Sequence, residues 1–246
     1  MDVQCEITSI NDRLISFQEA KGSILERAAE LEALARKLEK EEMAQSVSAV
    51  VRKLDEERFY LAVLGNFKRG KSTFINALLG SPILPTGVVP LTSVVTKLSY
   101  DVDDRAVVTY EDGGKRTIEL DALEDYITER GNPGNKKNIA EVDVLVNSPL
   151  LQRGVILVDT PGIGSTYISN TRATYDFLSK LDAAIIVIGS DPPISEVELD
   201  FVREVKPNVE GLFFVQNKMD RANAKDWNEA LLFSKTVLEK DLKMDI

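Results

Sequence analysis

An α/β fold is predicted, with a mostly parallel central sheet extended by antiparallel strands and preceded by a helical segment. Three observations predict it. The runs FYLAVLG, VILVDT, AAIIVIG and LFFVQNK are continuously apolar, as strands buried on both sheet faces must be. Helical patterns at Ser72–Gly80, Thr171–Leu181, Glu196–Val205 and Lys225–Leu242 separate most of these runs, which implies right-handed crossovers between parallel strands. Between Val94 and Asn147 the texture differs. VVTKLSY, RAVVTYEDGGKRTIEL and IAEVDVLVN are expected to be antiparallel strands, with Asp112-Gly113-Gly114 as a hairpin turn.

Residues 8 to 57 contain no proline and only Gly22 as punctuation, so they are expected to be helical, as two helices or one broken one. Ile24, Ala28, Leu31, Ala35 and Leu38 follow the 4-3-4-3 spacing of a coiled-coil seam, flanked by Glu26, Arg27, Glu30, Glu32, Arg36 and Lys37. Val47, Val50, Val51 and Leu54 form a second apolar set. Isolated helices are marginal in water, so this segment requires a partner surface. Both a cap on the following domain and a projecting arm satisfy that requirement.

Composition narrows the chemistry. The 246 residues include one cysteine and no histidine, and carry a net charge of −10 from 40 acidic and 30 basic side chains. The lone Cys5 excludes a disulfide framework and fits a reducing, cytosolic setting. Without histidine there is no Ser-His or Cys-His pair and no Cys/His zinc site. The acidic balance, with no cluster of Lys and Arg, argues against nucleic acid as partner. No apolar run is long enough to span a bilayer, and the first residues lack a signal-peptide pattern.

Gly65-Asn66-Phe67-Lys68-Arg69-Gly70-Lys71-Ser72 matches G-x-x-x-x-G-K-[ST] and lies where that motif must, between a predicted strand and a predicted helix. The glycines let successive N–H groups turn toward a phosphate, and the helix start adds partial positive charge. Lys71 would reach the β- and γ-phosphates, and the Ser72 hydroxyl would ligate Mg²⁺. These eight residues and Thr73 form the candidate phosphate-binding set. Asp159-Thr160-Pro161-Gly162 follows the strand Val155–Val158. Its carboxylate can hold a Mg²⁺-bound water, while the Gly162 amide can meet the γ-phosphate. Asn217-Lys218-Met219-Asp220 follows the strand Leu212–Val215. Asp220 can accept two hydrogen bonds from guanine that adenine does not offer, a difference that gives roughly 10⁴-fold discrimination. Lys218 can cover the base, and Asn217 can tie the loops together. Three such motifs in this order define a P-loop GTPase using GTP and Mg²⁺ and yielding GDP.

With their surroundings, these motifs resemble the dynamin superfamily, most closely its bacterial dynamin-like branch. Leu84-Pro85-Thr86-Gly87-Val88-Val89-Pro90-Leu91-Thr92 is similar to that family's first switch, and the stretch from Asn147 to Val205 is similar to bacterial members throughout. The resemblance implies that Thr92 closes on Mg²⁺ and the γ-phosphate, beside Ser72 and Asp159. It also implies GTP-dependent self-association through the GTPase face, which stimulates hydrolysis and moves a helical bundle that remodels membranes. Residues 1–57 would be part of that neck or bundle, and 58–246 a GTPase domain lacking its last strand, as a piece of a longer protein. Membrane lipid would be met by regions outside this chain, on a cytoplasmic, peripherally membrane-associated protein.

Two departures from the family pattern matter: the lack of a water-orienting side chain and the pair Lys68-Arg69. Dynamins share with Ile163 the absence of the Ras-like glutamine, but often have a polar residue at the position of Phe67. Ile163 follows the Asp-x-x-Gly turn and Phe67 occupies the phosphate loop, so neither supplies a side chain to orient water. Backbone atoms or the first switch would then position the nucleophile. Lys68-Arg69 stands where dynamins have small residues beside a monovalent cation, and a related family has an arginine finger at the position of Lys68. Either Lys68 replaces that cation or finger as a catalytic group, or Lys68 and Arg69 are solvated loop charges or dimer contacts. The alternative functions are a ribosome-assembly or translation GTPase, and a GTP-gated scaffold with little turnover. The last helix would present Trp227, Leu231, Leu238 and Leu242 on one face.

Overall fold

The computed structural model describes residues 22–55, 58–87, 94–161, 178, 180–190, 193–221, 224–243 and 246. The chain divides into two compact units at Arg58/Phe59.

In the first unit, helix α1 covers residues 22–37 and helix α2 covers Glu41–Asp55. The break between them is tight. Glu39 takes a left-handed conformation at φ 56°, and the Lys40 amide reaches back to the Ala35 carbonyl at 2.9 Å, closing the end of α1. Lys40 then supplies the carbonyl for the first bond of α2, from the Ala44 amide at 3.0 Å. Ala35 and Ala44, on either side of this turn, are buried, whereas Ile24, Leu31 and Leu38 of the predicted seam are exposed.

The second unit is built on one eight-stranded sheet in the order β4-β3-β5-β2-β6-β1-β7-β8. Its strands are β1 Phe59–Leu64, β2 Thr96–Tyr100, β3 Arg105–Tyr110, β4 Lys115–Ile118, β5 Ile139–Val146, β6 Val155–Asp159, β7 Ala183–Gly189 and β8 Gly211–Asn217. Strands β6, β1, β7 and β8 are mutually parallel, with Val63 opposite Asp159 and Leu64 opposite Ile186. Helix α3 (Lys71–Leu79) packs on one face of this half, where Ile75 joins Val63, Leu157 and Val187. On the other face α5 (Glu196–Val205) and the end of α6 (Ala224–Leu242) cover Ala62, Leu64, Val158, Ala184 and Ile186. Coverage on both faces explains the apolar runs of β6, β1 and β7, whereas β8, at the sheet edge, is only half-buried and leaves Phe213 exposed, contrary to expectation. Arg203 of α5 donates to Asp241 of α6 at 2.9 Å, fastening the two helices. Only the latter part of α6 packs. Leu238 and Leu242 are buried while Trp227 and Leu231 are exposed, so the four do not share one covered face.

The remaining strands form the extension. β3 and β4 make the expected antiparallel hairpin, in which Asp112 Oδ1 accepts from the Gly114 amide at 2.9 Å and Gly113 sits at φ 85°. β2 runs antiparallel to β6, as expected, but it pairs in parallel with β5. The cause is topological: β5 inserts between β2 and β3, bonding to both. The short β2–β3 link is tied to the end of β5 by the Asp101 amide on the Val146 carbonyl and the Asn147 amide on Asp104 Oδ1. The helix α4 (Glu124–Ile127) and its flanking turns place Leu123 and Ile127 against Ala106, Val108 and Val144. The opposite face of this half carries Lys97, bridged to Glu141 and Asp143 at 3.0 and 2.9 Å. Among the described residues, no helix is long and apolar enough to cross a membrane.

Candidate functional site

The loop from β1 into α3 has a shape that its glycines make possible. Gly65 sits at φ 143°, and a Cβ there would lie 2.5 Å from the Val187 carbonyl oxygen, so the chain crosses directly over β7. Asn66 shapes the next turn, its Oδ1 accepting from the Phe67 amide at 2.9 Å and its carbonyl from the Arg69 amide at 3.4 Å. Lys68 (φ 64°) and Gly70 (φ 89°) are left-handed. Gly70 is the N-cap of α3 and provides no side-chain cap, and the first intrahelical bond runs from Phe74 to Gly70 at 2.9 Å. The amides of Lys71, Ser72 and Thr73 therefore precede the helical ladder, where an anion is best received.

Lys71 is buried and folds over this loop, donating to the carbonyls of Gly65 at 3.2 Å and Asn66 at 3.4 Å. Burial lowers its pKa below the usual lysine value, and the negative charge of Asp159 opposes that shift. Ser72 donates to Asp159 Oδ2 at 2.7 Å. Asp159 is fully buried at the end of β6, and Thr160 beside it donates to the Val63 carbonyl at 3.3 Å. Among the described residues, no three carboxylate, thiol or imidazole side chains form a ready metal cluster. The oxygen donors at hand are the Ser72 hydroxyl and the Asp159 carboxylate, a pair suited to a hard cation that keeps most of its waters.

The end of β8 closes the opposite side. Asn217 Nδ2 donates to the Arg69 carbonyl at 2.9 Å, while its Oδ1 accepts from the Lys218 amide at 2.8 Å. Lys218, left-handed at φ 63°, sends its ammonium to the Lys68 carbonyl, and Ser190 after β7 donates to the Lys218 carbonyl at 2.8 Å. Asp220 follows on a short 3₁₀ turn and is exposed. Lys68 is exposed, its ammonium 5.2 Å from the Phe67 ring. Thr92 and Gly162 lie outside the described residues. Of the first-switch segment, Leu84 is held by Asn76 of α3 through reciprocal 2.8 Å bonds to its amide and carbonyl.

Three features escaped the sequence. Arg69 is not a solvated loop charge, since its guanidinium forms a two-pronged pair with Glu198 of α5 at 2.7 and 2.8 Å. The pattern of Glu196–Val205 predicted a helix there, but nothing linked its start, where Ser195 and Glu198 form a capping box, to a loop 129 residues earlier. Ser190 and Asn76 likewise carry no local signal of their partners.

The dynamin-family profile matches residues 61–219 of the chain. The protein encoded in the xynA 3' region of Caldicellulosiruptor sp. (strain Rt8B.4) is 40% identical over 227 residues, 92% of this chain and 56% of that protein. Dynamin-like protein 2 of Campylobacter jejuni is 32% identical over 184 residues, 73% of this chain and 29% of that protein. The chain thus spans about half the length of the first relative and under a third of the second. A solved structure of an oligomerised bacterial dynamin pair shares the fold, with a TM-score of 0.65 and 22% identity over 99% of this chain and 40% of that one. With the phosphate loop, the Ser72–Asp159 pair and the Asn217-Lys218 closure all lying inside the matched region, the chain belongs to the dynamin family of GTPases.

Proposed function

We propose that this chain binds GTP with Mg²⁺ and hydrolyses it to GDP and phosphate. The observation that carries this reading is the convergence of Lys71, the Ser72–Asp159 pair and the Asn217–Lys218 closure on one loop at the carboxyl edge of the parallel strands. The amides from Gly65 to Thr73 would cradle the phosphates. Lys71, now donating to its own loop, would donate to β- and γ-phosphate oxygens instead, and an anion there offsets the burial of its charge. Ser72 and Asp159, with Thr92, would hold Mg²⁺, which when bound neutralises charge on the β- and γ-oxygens. The Gly162 amide would meet the γ-phosphate. Asp220 would accept from the guanine edge, with Lys218 covering the base and Asn217 joining the base loop to the phosphate loop.

The full-length protein would couple nucleotide-dependent self-association through this face to membrane remodelling. Lipid would be met by regions outside this chain, at the cytoplasmic surface of a membrane, with residues 1–57 as part of the moving bundle. Support comes from the family and from the solved bacterial pair, which is oligomerised and concerned with sensing and tethering membranes. The acidic chain gives no support to nucleic acid as a partner.

A second reading, a GTP-gated scaffold of low turnover, is favoured by Phe67, whose ring faces the Lys68 ammonium and offers water no hydrogen-bonding group. In the hydrolytic reading, by contrast, Lys68 or a bound monovalent cation would supply transition-state charge once the protein self-associates. An arginine at such a point gives about 10³–10⁵ in rate, and a lysine point charge less. Titration with GTP and ATP, followed by single-turnover hydrolysis in the self-associated full-length protein, tests the reading. GTP should be preferred by about 10⁴ and lose that preference in Asp220→Ala. Equal binding of ATP by the unaltered protein defeats it, and binding without turnover leaves the scaffold. Lys68→Ala turning over at the unaltered rate, with strong K⁺ dependence, removes Lys68 from catalysis. Co-sedimentation with liposomes alongside a non-hydrolysable GTP analogue is expected, whereas co-purification with ribosomes and no lipid association would overturn the membrane role.

A further inference from the structure

We infer that Glu198 is a positioning residue for the phosphate loop, acting through Arg69, and that α5 thereby sets guanine-nucleotide affinity. The inference rests on the phosphate-binding reading above.

Arg69 sits between two left-handed residues, Lys68 at φ 64° and Gly70 at φ 89°. Gly70 adopts this conformation freely, but for Lys68 it is strained and persists only where the surroundings fix it. Arg69 is fixed from two directions. Its carbonyl accepts from Asn217 at the end of β8, and its guanidinium meets Glu198 through Nε and a terminal nitrogen. The pair is nearly dry, with side chains 12% and 3% exposed. Glu198 is itself immobilised, because Oε2 also accepts from the Ser195 amide at 2.9 Å and the Ser195 hydroxyl at 2.8 Å. A carboxylate with about four acceptor sites is thus well used, and its orientation is set by the start of α5. The next residues after Arg69 are Gly70, Lys71 and Ser72, whose backbone and side chains would receive phosphate. Arg69 is therefore not a spare cation for the nucleotide. Its charge is matched, and its function is to hold the turn from which the receiving amides project.

Direct binding of GDP and of a non-hydrolysable GTP analogue to the full-length protein, with steady-state hydrolysis and thermal melting beside it, tests the inference. Removing one partner leaves an uncompensated buried charge. The informative variants are therefore Arg69→Lys, which keeps the charge but not the two-pronged geometry, and Arg69→Gln combined with Glu198→Gln, which removes both charges. Each should weaken GDP and the GTP analogue alike by about tenfold, the equivalent of one charge-assisted hydrogen bond. KM should rise while kcat stays within about twofold, and adding Glu198→Gln to Arg69→Gln should weaken binding no further. GDP affinity equal to that of the unaltered protein in either variant that melts cooperatively, or an effect confined to kcat, overturns the inference. Should the double variant not fold, Arg69→Lys decides alone. An unaltered protein that binds no guanine nucleotide overturns the functional reading and this inference together, whereas normal binding with unaffected variants overturns only this one.

Discussion

The two halves of the sheet are made of similar residues and do different things. In β6, β1, β7 and β8 all strands point the same way, so the loops leaving their carboxyl ends gather at one edge. That edge receives Gly65–Gly70 after β1, Asp159 at the end of β6, Ser190 after β7 and Asn217 at the end of β8. In β4, β3, β5 and β2 the directions are mixed, so the loops joining them are divided between opposite edges, and among the described residues no candidate group lies on those joining loops. Burial differs accordingly. β7 is buried at nearly every position, whereas β3 and β5 alternate. The lesson is that a convergent site needs parallel strands, and parallel strands need cover on both faces.

The largest expected effect separating the halves is functional. Lys71→Ala should weaken nucleotide binding by about 10²-fold, since charge-assisted bonds to phosphate contribute about 1.5–3 kcal/mol. Thermal stability should not fall correspondingly, because a buried charge is removed. An affinity within a factor of two of the unaltered protein would break the assignment of the site to this edge. The next effect is on stability. Ile186→Ala in β7, covered by α5 and α6, should destabilise by about 2–5 kcal/mol in urea unfolding. Lys115→Ala on the exposed edge strand β4 should stay within about 0.5 kcal/mol. Equal values would contradict the contrast in burial.

A smaller change is expected at Asn76→Ala, which strips partners from the Leu84 amide and carbonyl beneath the first-switch segment and should destabilise by about 1–3 kcal/mol. The smallest effect contrasts two lysines. Lys71 is pushed below 10.5 by burial against the opposing charge of Asp159. Lys97 is also pushed down by burial, but its bonds to Asp143 and Glu141 more than offset this and raise it above 10.5. The signs are opposite. Folding favours neutral Lys71, so its penalty is full below its lowered pKa and disappears as pH rises from there to 10.5. Folding favours charged Lys97, whose stabilisation is full below 10.5 and is lost as pH rises through its folded pKa. NMR titration of the two ammonium groups should place Lys71 first and Lys97 last, and the reverse order would refute the two environments.

Much of this was legible from residues alone. The glycine spacing around Lys71 predicted the loop, because the positive φ angles of Gly65 and Gly70 are local demands on the backbone. Helix Glu196–Val205 and strand Ala183–Gly189 appear with the limits their patterns predicted. Strand order was less legible. Apolar alternation reveals that β2 and β5 are half-buried but carries no direction, so their parallel pairing was missed. The solvated reading of Arg69 failed for a related reason, since polar residues in a glycine-rich loop give no sign of a carboxylate arriving from another helix.

The sequence by itself determined the elements and the chemistry of the phosphate loop, because backbone conformations, capping boxes and apolar periods are set by neighbours a few residues away. Tertiary structure alone decided which strand lies beside which, and brought Glu198 to Arg69, Asn217 to the Arg69 carbonyl and Lys97 to Asp143. Such contacts join residues far apart in the chain. They are selected by the mutual burial of two sheet faces, which no short window of residues contains.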